Sequence, residues 1–236
     1  MENFADLPEA LQDADEVVEG LHRLQFSDEE ITVMKNVGYQ EVKIAIDMAS
    51  ADIYQNFKRG LNTLLFVYYA GHGMMNNTTY IVTNGKRMYP LESTLRCLAK
   101  ADGSYVVSVF DCCREKMQQK PMRGRIEANS SSNDFEDESE WIGKPNNSQE
   151  NIIITYGCQP SQGVPAKSTL ATTYFQYLGK SSQPSPDGKR YLALPGCLNF
   201  FQNVDGKCEH VTKVAKPCLL EWIAIPEDVT HDGRPE

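Results

Sequence analysis

Residues 64–69 read Leu-Leu-Phe-Val-Tyr-Tyr, and the run ends at Ala70-Gly71-His72-Gly73. A short apolar run rich in β-formers and bounded by glycine predicts a strand buried on both faces of a parallel sheet. A second run of the same form, Tyr105-Val106-Val107-Ser108-Val109-Phe110, leads into Asp111-Cys112-Cys113-Arg114. In open α/β sheets the chemistry collects at the carboxyl ends of the strands. One strand would therefore deliver a histidine, and the other a thiol, to the same rim.

An imidazole beside a thiol lowers its pKa or takes its proton, giving the thiolate that attacks a carbonyl. The separation of the two residues along the chain does not matter, because such pairs meet in space. Glycine on both sides of His72 argues for close backbone approach and an unusual turn rather than a structural histidine. Between the two thiols, strand alternation helps. Side chains two apart share a face, so Asp111 and Cys113 point one way and Cys112 the other. Cys113 is the expected nucleophile and Cys112 an ordinary buried thiol.

Tyr-Tyr-Ala-Gly-His-Gly followed by Val-Phe-Asp-Cys-Cys-Arg resembles the two catalytic blocks of the caspase-like cysteine peptidases, closest to the paracaspase and metacaspase branch. Their pattern is Ser/Ala-Gly-His-Gly at one strand end and Asp-x-Cys-Arg/His at the next. The resemblance implies an α/β caspase-like fold, a mostly parallel central sheet with helices on both faces. It also implies a Cys113/His72 dyad, with the backbone N–H of Gly73 offered to the developing oxyanion. Removing such a donor costs about 10²–10³ in rate in other hydrolases.

The resemblance extends to the substrate pocket. The family carries an Asp-Ala in its first helix, thirteen residues before a Gly/Asp-Phe, and Asp13-Ala14 precedes Gln25-Phe26 here at that spacing. An aspartate on such a helix ordinarily belongs to a solvated face; in the family it lines the primary specificity pocket, whose floor is the residue matching Asp111. Two carboxylates there would hold a guanidinium or ammonium by charge-assisted contacts. The resemblance thus implies cleavage after Arg or Lys. A third acidic group that some paracaspases add is lacking in Gln162-Gly163-Val164-Pro165-Ala166.

At 236 residues the chain is long enough for one full-sized α/β core. A net charge of −9 argues against a nucleic-acid or anionic-membrane surface. No apolar stretch approaches transmembrane length, and the amino end has no signal-peptide form. Seven cysteines without framework spacing predict reduced thiols in a cytoplasmic setting. No cofactor is called for. The run Asp134 to Glu140 lacks fixed ligand spacing, Cys197, Cys208, His210 and Cys218 do not have zinc spacing, and no metal site is expected.

Along the chain, apolar residues at three- and four-residue spacing predict a helix over 7–24, and Val42 to Phe57 a second helix ending at Gly60. Ile31 to Asn36 reads as a short strand. A hairpin is expected around Thr79 to Val82 and Asn84-Gly85, then a helix over Leu91 to Ala99. Residues 115–150 are polar and too poor in apolar side chains to order themselves, predicting a linker between a large part, 1–114, and a small part, 151–236, of a single domain. Arg123 and Arg125 lie at its start as candidate self-cleavage points. Beyond it come a buried strand over Asn151 to Tyr156, a loop over Gly163 to Lys167, and a helix over Thr169 to Leu178. A turn over Pro184 to Gly188, a helix over Leu198 to Val204 and a strand over Leu219 to Ile225 follow. The family's opening strand, of the type Ala-Leu-Leu-Ile-Gly-Asn, has no counterpart before Asp13, so the chain is expected to lack its natural start, the alternative being a sheet that closes without that strand.

The expected activity is that of a cysteine endopeptidase acting on proteins or peptides with basic residues before the cut, with a homodimer allowed. The alternative is a catalytically inactive caspase-fold scaffold that binds partners. An arginyl reporter peptide separates the two.

Overall fold

The computed structural model describes residues 7, 9–116, 150–163, 170–194, 209–213 and 218–223. The first part of the chain forms helices α1 (Glu9–Arg23) and α2 (Tyr39–Lys58), strands β1 (Thr63–Gly71), β2 (Gly73–Asn76), β3 (Thr78–Val82) and β4 (Met88–Tyr89), and helix α3 (Leu91–Leu98). Then come β5 (Ser104–Cys112), β6 (Glu115–Lys116), β7 (Ile152–Tyr156), α4 (Leu170–Ser181), β8 (Gln183–Pro184), β9 (Arg190–Leu194), β10 (Glu209–Lys213) and β11 (Cys218–Trp222). The chain divides into two compact units, one built on Asn36–Pro165 and Lys207–Lys216, the other on Leu7–Lys35, Ala166–Gly206 and Pro217–Glu236.

The first unit is organised by the sheet β1-β5-β7-β10. β1, β5 and β7 run parallel, and β10 closes against β7 in the antiparallel sense. Alternation sorts β5 and β7 into two faces. Val106, Phe110 and Cys112 of β5, with Ile152, Ile154 and Tyr156 of β7, share a core with Leu91, Leu95 and Leu98 of α3 and with Val42 and Ile53 of α2. Val107, Val109, Ile153 and Thr155 on the opposite face are also buried, so both faces of the central strands are dry, as their unbroken apolar runs require. β1 behaves differently. All nine of its residues are only half-buried, and β5 is its one ladder partner among the described residues.

α2 starts where the Glu41 carboxylate accepts the backbone N–H of Gly38 at 2.6 Å. It stops in a Schellman turn: Gly60 takes φ +77°, its N–H reaches the carbonyl of Phe57, and that of Leu61 reaches Asn56. A second small sheet, β4-β3-β2-β6, hangs from the end of β1. The Asn84-Gly85 signal is a turn, with Gly85 at φ +83° and Lys86 at φ +61°, but it joins β3 to β4. The hairpin β2–β3 turns instead at Asn77, φ +61°.

The second unit packs α1 against α4. Val17 and Leu21 of the first are buried, with Leu24 just beyond it, as are Tyr174, Phe175 and Leu178 of the second. Gly20 is needed at this contact because a Cβ there would overlap the Phe175 ring. α1 ends in its own Schellman turn, with Gln25 at φ +65° and the N–H of Phe26 on the carbonyl of Leu21. The antiparallel sheet β11-β9-β8 completes this unit, and Ile223 N–H bonds the carbonyl of Arg23 at 2.8 Å.

One expected element is absent. Ile31 to Asn36 is not a strand. A strand is defined by a ladder, and this segment has none among the described residues; its neighbourhood supplies only a single bridge, Gly38 to Asn84. Sequence patterning also missed β6, β9 and β10. The linker beyond Lys116 with Arg123 and Arg125, the loop from Val164, the helix over 198–204, Cys197 and Cys208 lie outside the described residues. Among the described residues, no helix is long and apolar enough to cross a membrane, and no group of three or more His, Cys, Asp or Glu side chains could hold a metal ion.

Candidate active site

The parallel ladder between β1 and β5 fixes where His72 and Cys113 fall. Ala70 lies opposite Asp111 and Gly71 opposite Cys112, and the pairing ends there. His72 and Cys113 are the next residues on the two neighbouring strands, at their carboxyl ends. Both are half-buried. Past this point each chain leaves the large sheet for the small one: β2 begins at Gly73, and β6 pairs with it in parallel through Met74 and Glu115.

Gly73 is the joint between the two strand ends. A Cβ there would lie 2.5 Å from Cys112 Sγ and 2.6 Å from the backbone oxygen of Cys113. No real Cβ tolerates such contacts, so only glycine lets this backbone close on the thiol-bearing turn. Val82 N–H donates to His72 O at 2.9 Å, which makes Gly73 and Ile81, opposite each other in β2 and β3, a non-hydrogen-bonded pair. The N–H of Gly73 therefore points away from β3, towards the edge where β6 follows Cys113.

The two thiols differ in surroundings. Cys112 is 1% exposed, and burial pushes its thiol well above the ordinary range, with the neighbouring Cys158 and Asp111 adding to the effect. A buried, protonated thiol is a poor nucleophile. Cys113 is half-buried, and its Sγ borders Gly163, 3.5 Å from where a Cβ would stand. Cys113 thus stands at the end of the strand that neighbours the one carrying His72, and Cys112 lies in the core.

Asp111 is 4% exposed, and Tyr68 donates its hydroxyl to Asp111 Oδ2 at 3.0 Å. This is a diagonal contact on one face of the β1–β5 ladder. Asp13 lies on α1 in the other unit.

Arg114 anchors the turn beyond the thiol. Its guanidinium is buried, sits 3.7 Å from the centre of the Tyr156 ring, pairs with Glu209 of β10 and donates to the carbonyl of Cys158 at 3.4 Å. Its backbone N–H donates to Gln162 O and its carbonyl accepts from Ser161, both at 2.9 Å. Cys158 completes the wall, donating to the carbonyls of Cys112 at 3.4 Å and Gln162 at 3.3 Å. Tyr69 donates to the carbonyl of His72 at 2.8 Å.

Sequence reasoning passed over Tyr68, Tyr69 and Cys158. The two tyrosines counted as apolar filling of a strand. The only available signal was that adjacent strand residues face opposite ways, so one hydroxyl must emerge on each side near the rim.

No curated protein matches the chain. A family model, the caspase domain, matches residues 1–194. That span holds His72, Cys113 and the three parallel strands of the central sheet, and the chain belongs to the caspase-domain family of cysteine peptidases.

Proposed function

We propose that this chain is an active cysteine endopeptidase that uses Cys113 as nucleophile and His72 as its general base, and that cuts after Arg or Lys. What carries the reading is the strand-end arrangement: His72 and Cys113 follow the last paired residues of neighbouring parallel strands, and Gly73 is closed onto the Cys113 backbone.

The chemistry follows from that placement. His72 takes the thiol proton, and the Cys113 thiolate adds to the scissile carbonyl. The Gly73 N–H, turned away from β3, stabilises the oxyanion of the tetrahedral intermediate. The intermediate collapses as His72 returns the proton to the leaving amine, forming a thioester. Water, deprotonated by the same imidazole, then hydrolyses the thioester and frees Cys113.

The basic preference rests on Asp111 and, through the family resemblance, on Asp13. A nearly buried carboxylate beside the nucleophile favours a cation. Tyr68 holds the Asp111 carboxylate from one side, and a substrate guanidinium or ammonium would meet it by charge-assisted contacts. The test is turnover of reporter peptides ending in Arg, Lys or Asp by the wild type and by Cys113→Ala. Cleavage after Arg and Lys that vanishes in the variant supports the proposal. Preference for Asp overturns the pocket assignment. No turnover, with a folded protein and an unreactive Cys113, favours a binding scaffold.

A further inference from the structure

His72 sits where the chain changes sheets. The β1 ladder ends at Gly71 and the paired residues of β2 begin at Gly73, so the peptide unit of His72 is the joint between the two sheets. Two groups hold it. Val82 N–H donates to His72 O at 2.9 Å, and the hydroxyl of Tyr69 lies 2.8 Å from the same oxygen and 3.2 Å from Val82 O. The tyrosine is three residues upstream, on the face of β1 that packs into the core beside Cys112. Its side chain runs along the strand and reaches the turn from beneath.

Gly71 makes this reach possible. A Cβ at position 71 would stand 2.6 Å from the Tyr69 hydroxyl oxygen and 2.9 Å from the ring carbon bearing it. Any side chain there would displace the phenol from the His72 carbonyl. Glycine at 71 and tyrosine at 69 are thus two parts of one device.

We propose that Tyr69 is a positioning residue for the dyad: its hydroxyl fixes the peptide of His72, and through it the aim of the imidazole at Cys113. The inference rests on the dyad reading above. The phenol is suited to the task because burial pushes its pKa far above the ordinary range, with the neighbouring Cys112 contributing in the same direction, so the hydroxyl remains a donor at every working pH. A hydrogen bond to a main-chain carbonyl restrains the backbone from which the imidazole projects. A reacting group displaced by about 1 Å loses about 100-fold in rate.

The experiment compares wild type with Tyr69→Phe, which keeps the ring and removes only the hydroxyl. Two quantities are read: kcat and KM on an arginyl reporter, and the pH profile of iodoacetamide alkylation at Cys113, followed by peptide mass spectrometry. The exposed Cys97 serves as internal reference. In the wild type, Cys113 should be alkylated faster than Cys97. In Tyr69→Phe that advantage should weaken or vanish across the pH profile, and kcat should fall about 10- to 100-fold with KM within about twofold. Gly71→Ala, which keeps the phenol but crowds it, should shift the alkylation profile in the same direction and covers the case in which Tyr69→Phe does not fold. An unchanged profile in a folded Tyr69→Phe or Gly71→Ala protein overturns the role, as does a fall in kcat without a profile change. A wild type in which Cys113 reacts no faster than Cys97 overturns the dyad itself, and the role of Tyr69 with it.

Discussion

Arg114 follows Cys113, the proposed nucleophile, and its worth can be worked out from its contacts. Its side chain is 7% exposed and that of Glu209 is 32% exposed. Removing one partner of a buried pair costs about 3–5 kcal/mol, largely because the other charge is left without water or counter-ion. Glu209 is near the surface and can recover water, which moves the electrostatic part to about 2 kcal/mol. The guanidinium also lies 3.7 Å from the centre of the Tyr156 ring, a contact worth about 0.5–2 kcal/mol. The bond to Cys158 O is long, at 3.4 Å, and adds little. Arg114→Ala should therefore destabilise the first unit by about 3 kcal/mol.

Urea unfolding followed by far-ultraviolet circular dichroism should show this as a midpoint lowered by about 1–2 M at unchanged slope, for a slope of about 2 kcal/mol/M. Arg114→Lys should recover part of the loss, since an ammonium keeps the charge but not the flat stacking surface. Glu209→Gln should cost only about 1 kcal/mol, because the guanidinium retains the ring. In the double variant the losses should fall short of additivity by about 1 kcal/mol. A midpoint for Arg114→Ala within 0.5 kcal/mol of wild type, or strict additivity with Glu209→Gln, would refute the assignment of this network as the anchor of the catalytic turn.

Cys113→Ala should abolish peptide cleavage, whereas Cys112→Ala should retain most of it; equal loss in two folded variants would overturn the choice of thiol. Gly73→Ala should cost about 1–3 kcal/mol of stability through its contacts with Cys112 and Cys113, with a far larger relative loss of kcat, measured by reporter turnover beside a thermal melt. Asp111→Asn should erode the preference for Arg by about 2–5 kcal/mol in kcat/KM, seen as a narrowed ratio between arginyl and neutral reporters.

The strands that carry the site were legible because burial on both faces leaves a run of apolar residues that no other element of that length produces. β5 and β7 show it plainly. The same logic fails for β1, whose run predicts a doubly buried strand but whose residues are all half-exposed; sequence records what a strand is suited to, not which neighbours it finds. It fails also for β6, with two residues, and for β10, Glu-His-Val-Thr-Lys, the last strand of its sheet among the described residues, with little apolar content. Ile31 to Asn36 errs the other way, apolar and β-branched at its start yet without a ladder among the described residues. Within the site, His72, Gly73 and Cys113 stood out because glycine and reactive side chains punctuate the strand ends. Tyr69 and Arg114 did not, since their value lies in partners contributed by β3, β7 and β10.

A buried carboxylate ties this scaffold to pH. Glu92, in the first turn of α3, accepts the backbone N–H of Thr79 at 2.8 Å and Arg96 Nε at 3.0 Å. Burial alone would raise its pKa, but hydrogen bonds from Thr79, Tyr156 and Arg96 outweigh that and hold it below the ordinary glutamate value of 4.5. Because the folded pKa is the lower one, the unfolded chain binds more protons as pH falls. Glu92 thus contributes stability that is fully present above the ordinary carboxylate range and is lost as pH drops through the folded pKa. Glu150, which meets Arg96, Lys100 and Lys213, is shifted in the same direction and acts in the same window. Glu92→Gln should cost about 1–3 kcal/mol at neutral pH, since an amide group then faces Arg96 in a buried site. Below about pH 4.5 its urea midpoint should fall less steeply than that of the wild type, and adding Glu150→Gln should flatten it further. Tyr156 spans this cluster and Arg114, so the loss reaches the turn that carries Cys113. An acid limb as steep in Glu92→Gln as in the wild type would show that the fold's response to acid is set by other carboxylates.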